Sequence, residues 1–348
     1  MAGIERRRDA AEPLQPVVDP AAWRSEDLNA SDAGIFHWQD NEIEEIAAAA
    51  AAYGESGRDL IHMDKDAFPL PRTQAKLAAI KDEIVDGTGF ALIHGFPVKE
   101  FTRRQSAIAY LGLGAHLGGF LSQNAAGHYL GHVKDMGYSL DDPNYRANQT
   151  RDELDFHSDS CNVVGLFCLH EAKEGGASLI ASSISVYNEM LKRRPDLSAE
   201  LVKMQYRDRR GEVPKGKKPY WLLPVYCYRD GYLSVFGGRK YCDSAQRFDE
   251  VPRQSPLQIE AWDMFEALCE ELAHPQQFAP GDMQFLNNHV IQHARTEYHD
   301  WPEPERRRHL LRLWLEVDGI RPLIDEFRDQ TYGINIGDTP PSAPLDVE

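Results

Sequence analysis

Apolar and polar positions along the chain change rhythm near residue 120. Before that point the pattern is helical. Asn41 to Glu45 leads with acids into the alanine run 47–52, which predicts a helix closing near Gly54, since acids suit a first turn and alanine an interior. Pro71 precedes a second helical pattern over 72–87, and a third covers 102–117. Between them, 89–95 is a short apolar run framed by glycines, the mark of a buried strand. Beyond 120, short apolar runs recur at 163–169, 179–182, 224–228, 283–286, 289–293 and 309–317, with helical stretches at 185–204 and 255–273. Asp230-Gly231 separates YCYR from YLSVF and predicts a hairpin. Residues 1–33 have no period and are expected to form a loose arm; the Pro-rich stretch 336–348 is expected to be a loose tail. The many short strands predict a mainly β protein with flanking helices (α+β), its core a jelly roll.

Charge narrows the partners. Lys plus Arg is 38 and Asp plus Glu is 55, a formal net charge of −17. Phosphate contacts need clustered cations, so nucleic acid is excluded, and an anionic membrane surface is disfavoured for the same reason. No run of about 18 apolar residues is present to span a bilayer. The five cysteines are odd in number and scattered, without a CxxC pair, and the N-terminus carries charges where a secretory peptide is apolar. These features lead us to expect reduced thiols and a cytoplasmic location. Assembly into a homo-oligomer is left open.

The chemistry concentrates in the second half. In Phe156-His157-Ser158-Asp159 an extended backbone turns His157 and Asp159 to one face, with Ser158 turned away. Further on come Gly281-Asp282-Met283-Gln284, then His289 and His293-Ala294-Arg295-Thr296, and then Arg308 and Arg312 in RHLLRLWL. Two imidazoles and a carboxylate suit one face of an octahedral Fe(II), leaving positions open. On spacing alone, His289 and His293 both qualify as the second imidazole. A neighbouring arginine suits a distal carboxylate better than lysine does, through a paired hydrogen bond. Arg308 and Arg312 would lie about 13 Å apart along a strand and so cannot share one carboxylate. His132 is kept as a further candidate for the pocket. No GxSxG elbow, HExxH, P-loop or dinucleotide-binding glycine pattern is present.

Over 85–320 the chain resembles the Fe(II)/2-oxoglutarate-dependent oxygenases of the taurine dioxygenase (TauD/TfdA-like) type, whose pattern is HxD, a distal His and an Arg some fifteen residues beyond, on a double-stranded β-helix. The resemblance implies His157, Asp159 and His293, in preference to His289, as catalytic metal ligands. It implies Arg308 for the tail of 2-oxoglutarate. Gly175-Gly176-Ala177-Ser178 is similar to the family's GG-x-[ST] segment, which adds Ser178 to that role. Arg312 is left to either 2-oxoglutarate or an anionic substrate, and Gln123 and Asn124 stand where relatives place co-substrate or substrate contacts. The implied cofactors are Fe(II), 2-oxoglutarate and O2, with ascorbate as reductant in vitro. The implied reaction converts 2-oxoglutarate to succinate and CO2 while oxidising a C–H bond of a small anionic or amino-acid-like metabolite. Hydroxylation leads, with desaturation or cyclisation as alternatives. Asp159 disfavours halogenation, since related halogenases carry a small residue there. Because the motifs must converge on one core, 34–335 is expected to form one jelly-roll domain under an N-terminal helical cover. A jelly-roll metal protein that does not use 2-oxoglutarate, and a non-catalytic binding protein on the same fold, remain as rival readings.

Overall fold

Two eight-residue strands explain the unbroken apolar runs. β6 (Val163–His170) and β17 (His309–Glu316) share the pattern of six buried positions, one half-buried and one exposed. They lie side by side in the middle of a large sheet covered on both faces, so neither face is free to be polar. The computed structural model describes residues 4–137, 149–327, 332–334, 337 and 339–346; the rest of the expected arm, domain and tail lies outside the described residues. The large sheet runs β1 (Ile35–His37), β2 (Phe90–His94), β14 (Met283–Asn287), β6, β17, β3 (Gly119–Phe120), with β4 (Gly131–Val133) also on β17. β1 is parallel to β2, and the other pairings are antiparallel. Opposite it stands a smaller sheet, β13 (His274–Gln276), β8 (Ser178–Ser182), β15 (Ile291–Arg295), β5 (Leu154–His157). Three short pairs complete the strands: β7 (Glu174–Gly175) with β16 (Tyr298–His299), β9 (Gln205–Asp208) with β10 (Tyr220–Leu223), and β11 (Tyr226–Arg229) with β12 (Tyr232–Val235). The last pair is the expected hairpin, and Asp230 and Gly231 both turn with positive φ, at 49° and 78°.

Alternation along β17 divides the core. Leu311, Leu313 and Leu315 face α2 (Asp40–Glu55), α3 (Gln74–Asp86) and α4 (Arg103–Leu117), and join Ile46, Ile80 and Leu111 in one cluster. Trp314 faces the other way, into a second cluster with Phe156, Ile180 and Ile291 of the small sheet. This second cluster continues into α5 (Ser183–Arg193) and α8 (Pro256–Glu271). Between them lies α6 (Pro195–Leu201), and α7 (Arg239–Ala245) follows β12. The helix expected at 185–204 is broken into α5 and α6 because Arg194, held at φ −145° and ψ 77°, precedes Pro195.

The N-terminal arm is not loose. Val17, Ala21, Trp23 and Leu28 of the segment around α1 (Ser25–Asn29) are buried in the second cluster. Trp23 donates Nε1–H to the Thr88 carbonyl at 2.8 Å, and Asp19 joins Arg8 at 3.0 Å to Arg321 at 2.6 Å. The arm has no period of its own because α5 organises it: Ser182, Ser185, Tyr187 and Asn188 hydrogen-bond to its backbone. The tail is also docked where described. Ser342 brackets the Gly127–Tyr129 backbone, Ala343 and Leu345 pack on the first cluster, and Asp346 pairs with Arg103.

Candidate metal centre and its surroundings

His157 ends β5 and His293 lies mid-way along β15, and the two are direct partners across the small sheet. Their rings stand 4.2 Å apart between centroids. Asp159 follows on the turn after β5, 3.9 Å from His157 Nε2 through Oδ1 and 3.8 Å from His293 Nε2 through Oδ2. One ligand atom from each residue falls within 4.8 Å of the others, and among the described residues no other His, Cys, Asp and Glu group is so arranged. The register of two strands therefore brings together His157 and His293, 136 positions apart.

Each group is held in the form a metal needs. His157 Nδ1 lies 2.9 Å from the Asp155 carbonyl, so it carries the proton and leaves Nε2 as the free lone pair. Burial alone would raise the Asp159 carboxyl, but Arg312, His293 and His157, with a hydrogen bond from Trp314, hold it below the usual carboxylate range. Trp314 Nε1 donates to Asp159 Oδ2 at 3.0 Å. Burial, reinforced by His157, lowers His293 to about 3, which keeps its imidazole neutral. The intervening residues brace the ligands from behind. Ser158 Oγ accepts from Gln292 Nε2 at 2.9 Å, and the Asp159 N–H donates to Asn288 Oδ1 at 3.0 Å. These roles carry no sequence signal beyond polar residues interleaved with the ligands.

His289 does not share the strand of His293, as a strand over 289–293 would require. It sits in the turn after β14, where its N–H is taken by Asn287 Oδ1, and its ring faces Asn162 and Phe327. His132 is also elsewhere, bonded to His309 at 2.8 Å and to the Pro344 carbonyl at 2.9 Å.

Arg308 is buried just ahead of β17, with its guanidinium carbon 5.0 Å from the centre of the Tyr298 ring and its Nη1 without a partner. It borders a cavity of about 170 Å³ with Cys168, Gly176, Phe278 and Leu310. Gly175 and Gly176 both have positive φ; a Cβ on Gly176 would come 3.1 Å from Arg308 Nε, and one on Gly175 would come 2.3 Å from the Glu297 carbonyl oxygen, so it is Gly176 that lets the arginine approach. Ser178 is buried on β8, 3.4 Å from the Gln284 amide of the large sheet. Arg312 comes within 3.9 Å of Asp159. Gln123 does not stand free beside a ligand cavity: its Oε1 accepts Arg312 Nε at 2.8 Å, and its Nε2 donates to the carbonyls of Arg312 and Tyr129, both at 2.9 Å. Asn124 is used by its own loop, accepting from the N–H groups of Ala126 and His128.

The chain has recognisable relatives. The profile described as "Taurine catabolism dioxygenase TauD, TfdA family" matches residues 55–314. The chain is 29% identical over 334 residues to FR-33289 synthase of Streptomyces rubellomurinus, covering 94% of this chain and 98% of that one. It is 28% identical over 306 residues to the taurine hydroxylase-like protein SAT17 of Stachybotrys chartarum, covering 85% and 78%. Among solved structures, an asparagine oxygenase in complex with Fe(II), 2S,3S-3-hydroxyasparagine and succinate shares the fold with a TM-score of 0.64 at 15% identity, over 81% of this chain and 93% of that one. The non-heme iron oxygenase OrfP in complex with Fe and alpha-ketoglutaric acid gives 0.61 at 14% identity, over 82% and 94%.

Proposed function

Because the chain belongs to the TauD/TfdA family of dioxygenases, we propose that His157, Asp159 and His293 are the ligands of its iron, with Arg308 and Ser178 receiving the distal carboxylate of 2-oxoglutarate. The protein is an Fe(II)/2-oxoglutarate-dependent oxygenase, which couples conversion of 2-oxoglutarate to succinate and CO2 with oxidation of a substrate C–H bond. The convergence of two imidazoles and one carboxylate, with Arg312 beside them, carries the assignment. The donor set fits Fe(II), since it occupies one face and leaves the other sites open. The unpartnered Nη1 of Arg308 fits a carboxylate.

When bound, the iron supplies the oxygen-activating chemistry, and the protein's residues supply position and a dry site. The Asp155 carbonyl fixes the His157 tautomer, and Trp314 and Asn288 fix Asp159 as an anion at one place. Arg308 orients the co-substrate from its far end. Arg312, steadied by Gln123, turns its terminal nitrogens toward the triad and suits a substrate carrying a carboxylate or similar anion. A small anionic or amino-acid-like metabolite is the substrate class we infer, and the asparagine oxygenase likeness is in keeping with it. The net charge of −17 speaks against nucleic acid. No helix is long and apolar enough to cross a membrane among the described residues, and the five free, buried cysteines suit the cytoplasm.

Purified protein given Fe(II), ascorbate and 2-oxoglutarate is expected to release succinate when its substrate is supplied from a panel of small acids, amino acids and secondary metabolites. His157→Ala and Asp159→Ala should each abolish that turnover. Full activity in both would refute the ligand assignment, and activity that persists in Arg308→Ala without 2-oxoglutarate would point to a different jelly-roll metal chemistry.

A further inference from the structure

Arg295 is a charged residue that the site described above leaves without work. It stands on β15 two residues beyond His293, and so on the same strand face. Across the sheet its register partner is Ser178, whose hydroxyl reaches Gln284 of the opposite sheet; this face looks into the space between the sheets. Arg295 is 5% exposed. Its Nη2 caps the carbonyls of Thr150 and Asp152, while Nε and Nη1 have no partner. Its guanidinium carbon lies 5.0 Å from the centre of the Tyr298 ring, the same distance as that of Arg308.

One phenol ring therefore carries two buried guanidiniums, which between them leave three N–H-bearing nitrogens unsatisfied. Neither is in an ion pair among the described residues. Asp300, the nearest candidate in sequence, accepts the backbone N–H of Arg308. The carboxylates that act on them, Asp152 and Asp135 on Arg295 and Asp300 on Arg308, make no ion pair with either guanidinium, so a directly bonded anion would stabilise two buried cations.

We propose that Arg295 is a second carboxylate-binding guanidinium: with Arg308 and Ser178 it forms a buried two-arginine seat that selects a 2-oxo dicarboxylic acid over a 2-oxo monocarboxylic acid. The inference rests on the reading of Arg308 and Ser178 as the co-substrate site. A second fork of donors doubles the charge-assisted bonds available to the tail of the co-substrate.

The test is anaerobic calorimetric titration of the Fe(II)-loaded protein with 2-oxoglutarate and with 2-oxovalerate, which has the same chain length but lacks the second carboxylate. Arg295→Met is expected to weaken 2-oxoglutarate by about 10- to 100-fold, the usual effect of removing a hydrogen bond to a charged group, and to leave 2-oxovalerate unchanged. Arg295→Lys, which keeps the charge and a donor for the Thr150 carbonyl, should lose less, again for 2-oxoglutarate alone; it carries the test should the methionine variant not fold. A purely structural Arg295 would weaken both acids alike or neither, and either result overturns the inference. If the unaltered protein binds neither acid, the co-substrate reading itself fails, and this inference with it.

Discussion

Gln123 shows how a residue can be picked out correctly and given the wrong task. A polar pair ahead of HxD resembles a ligand contact, yet Gln123 is 1% exposed and grips Arg312 at both its side chain and its own carbonyl. Gly131 makes the room, since a Cβ there would come 2.4 Å from Gln123 Oε1. Replacing Gln123 with Leu should strand a buried donor on Arg312, at about 1–3 kcal/mol of stability. It should raise KM for an anionic substrate several-fold in steady-state assays, with the 2-oxoglutarate dissociation constant unchanged; equal loss for both would mean a general disturbance of the barrel. The sequence offers His157, Asp159, His293 and Arg308 as candidates because ligand chemistry restricts residue type and order, and the fold brings the first three together. It could not rank His289 against His293 from spacing, because the strand begins at Ile291 and a turn carries His289 away.

At the level of elements, alternation and breakers located most strands and helices, and the misses have local causes. A continuous helical composition over 185–204 hides the break at Pro195, whose preceding residue must leave the helical region. The arm at 17–28 misleads in the opposite way. An irregular segment has no period to read, and its order comes from hydrogen bonds offered by α5. Trp23 anchors it, 1% exposed and edge-on to Phe90 at 5.8 Å. Trp23→Ala is therefore expected to destabilise the fold by about 3–5 kcal/mol in denaturant unfolding. A loss under about 0.5 kcal/mol, as for a surface change, would show the arm to be dispensable.

Across the whole molecule, acid should act through buried histidines as well as carboxylates. Burial, aided by Arg321, lowers His289 to about 3, and burial with His132 does the same for His309. The unfolded chain binds protons at these groups from about pH 6.5 downward while the folded chain does not, so stability falls as pH drops through that window toward 3. For His289 alone the loss by pH 5 is about 2 kcal/mol. Unfolding at pH 7.5 and 5 should show it, with a smaller loss in His289→Gln; identical pH dependence in the two proteins would refute this assignment. The same view of the whole molecule separates what each source of information decided. From sequence alone came the β-rich fold class, the charge argument against polyanionic partners, and the candidates for metal and co-substrate residues, because periodicity and ligand type are written locally. Tertiary structure decided which histidine faces its partner, that Gln123 serves Arg312, that the arm is part of the core, and that Arg295 and Arg308 share one tyrosine. Those facts depend on strand register and on burial, which the fold decides and no local pattern of residues records.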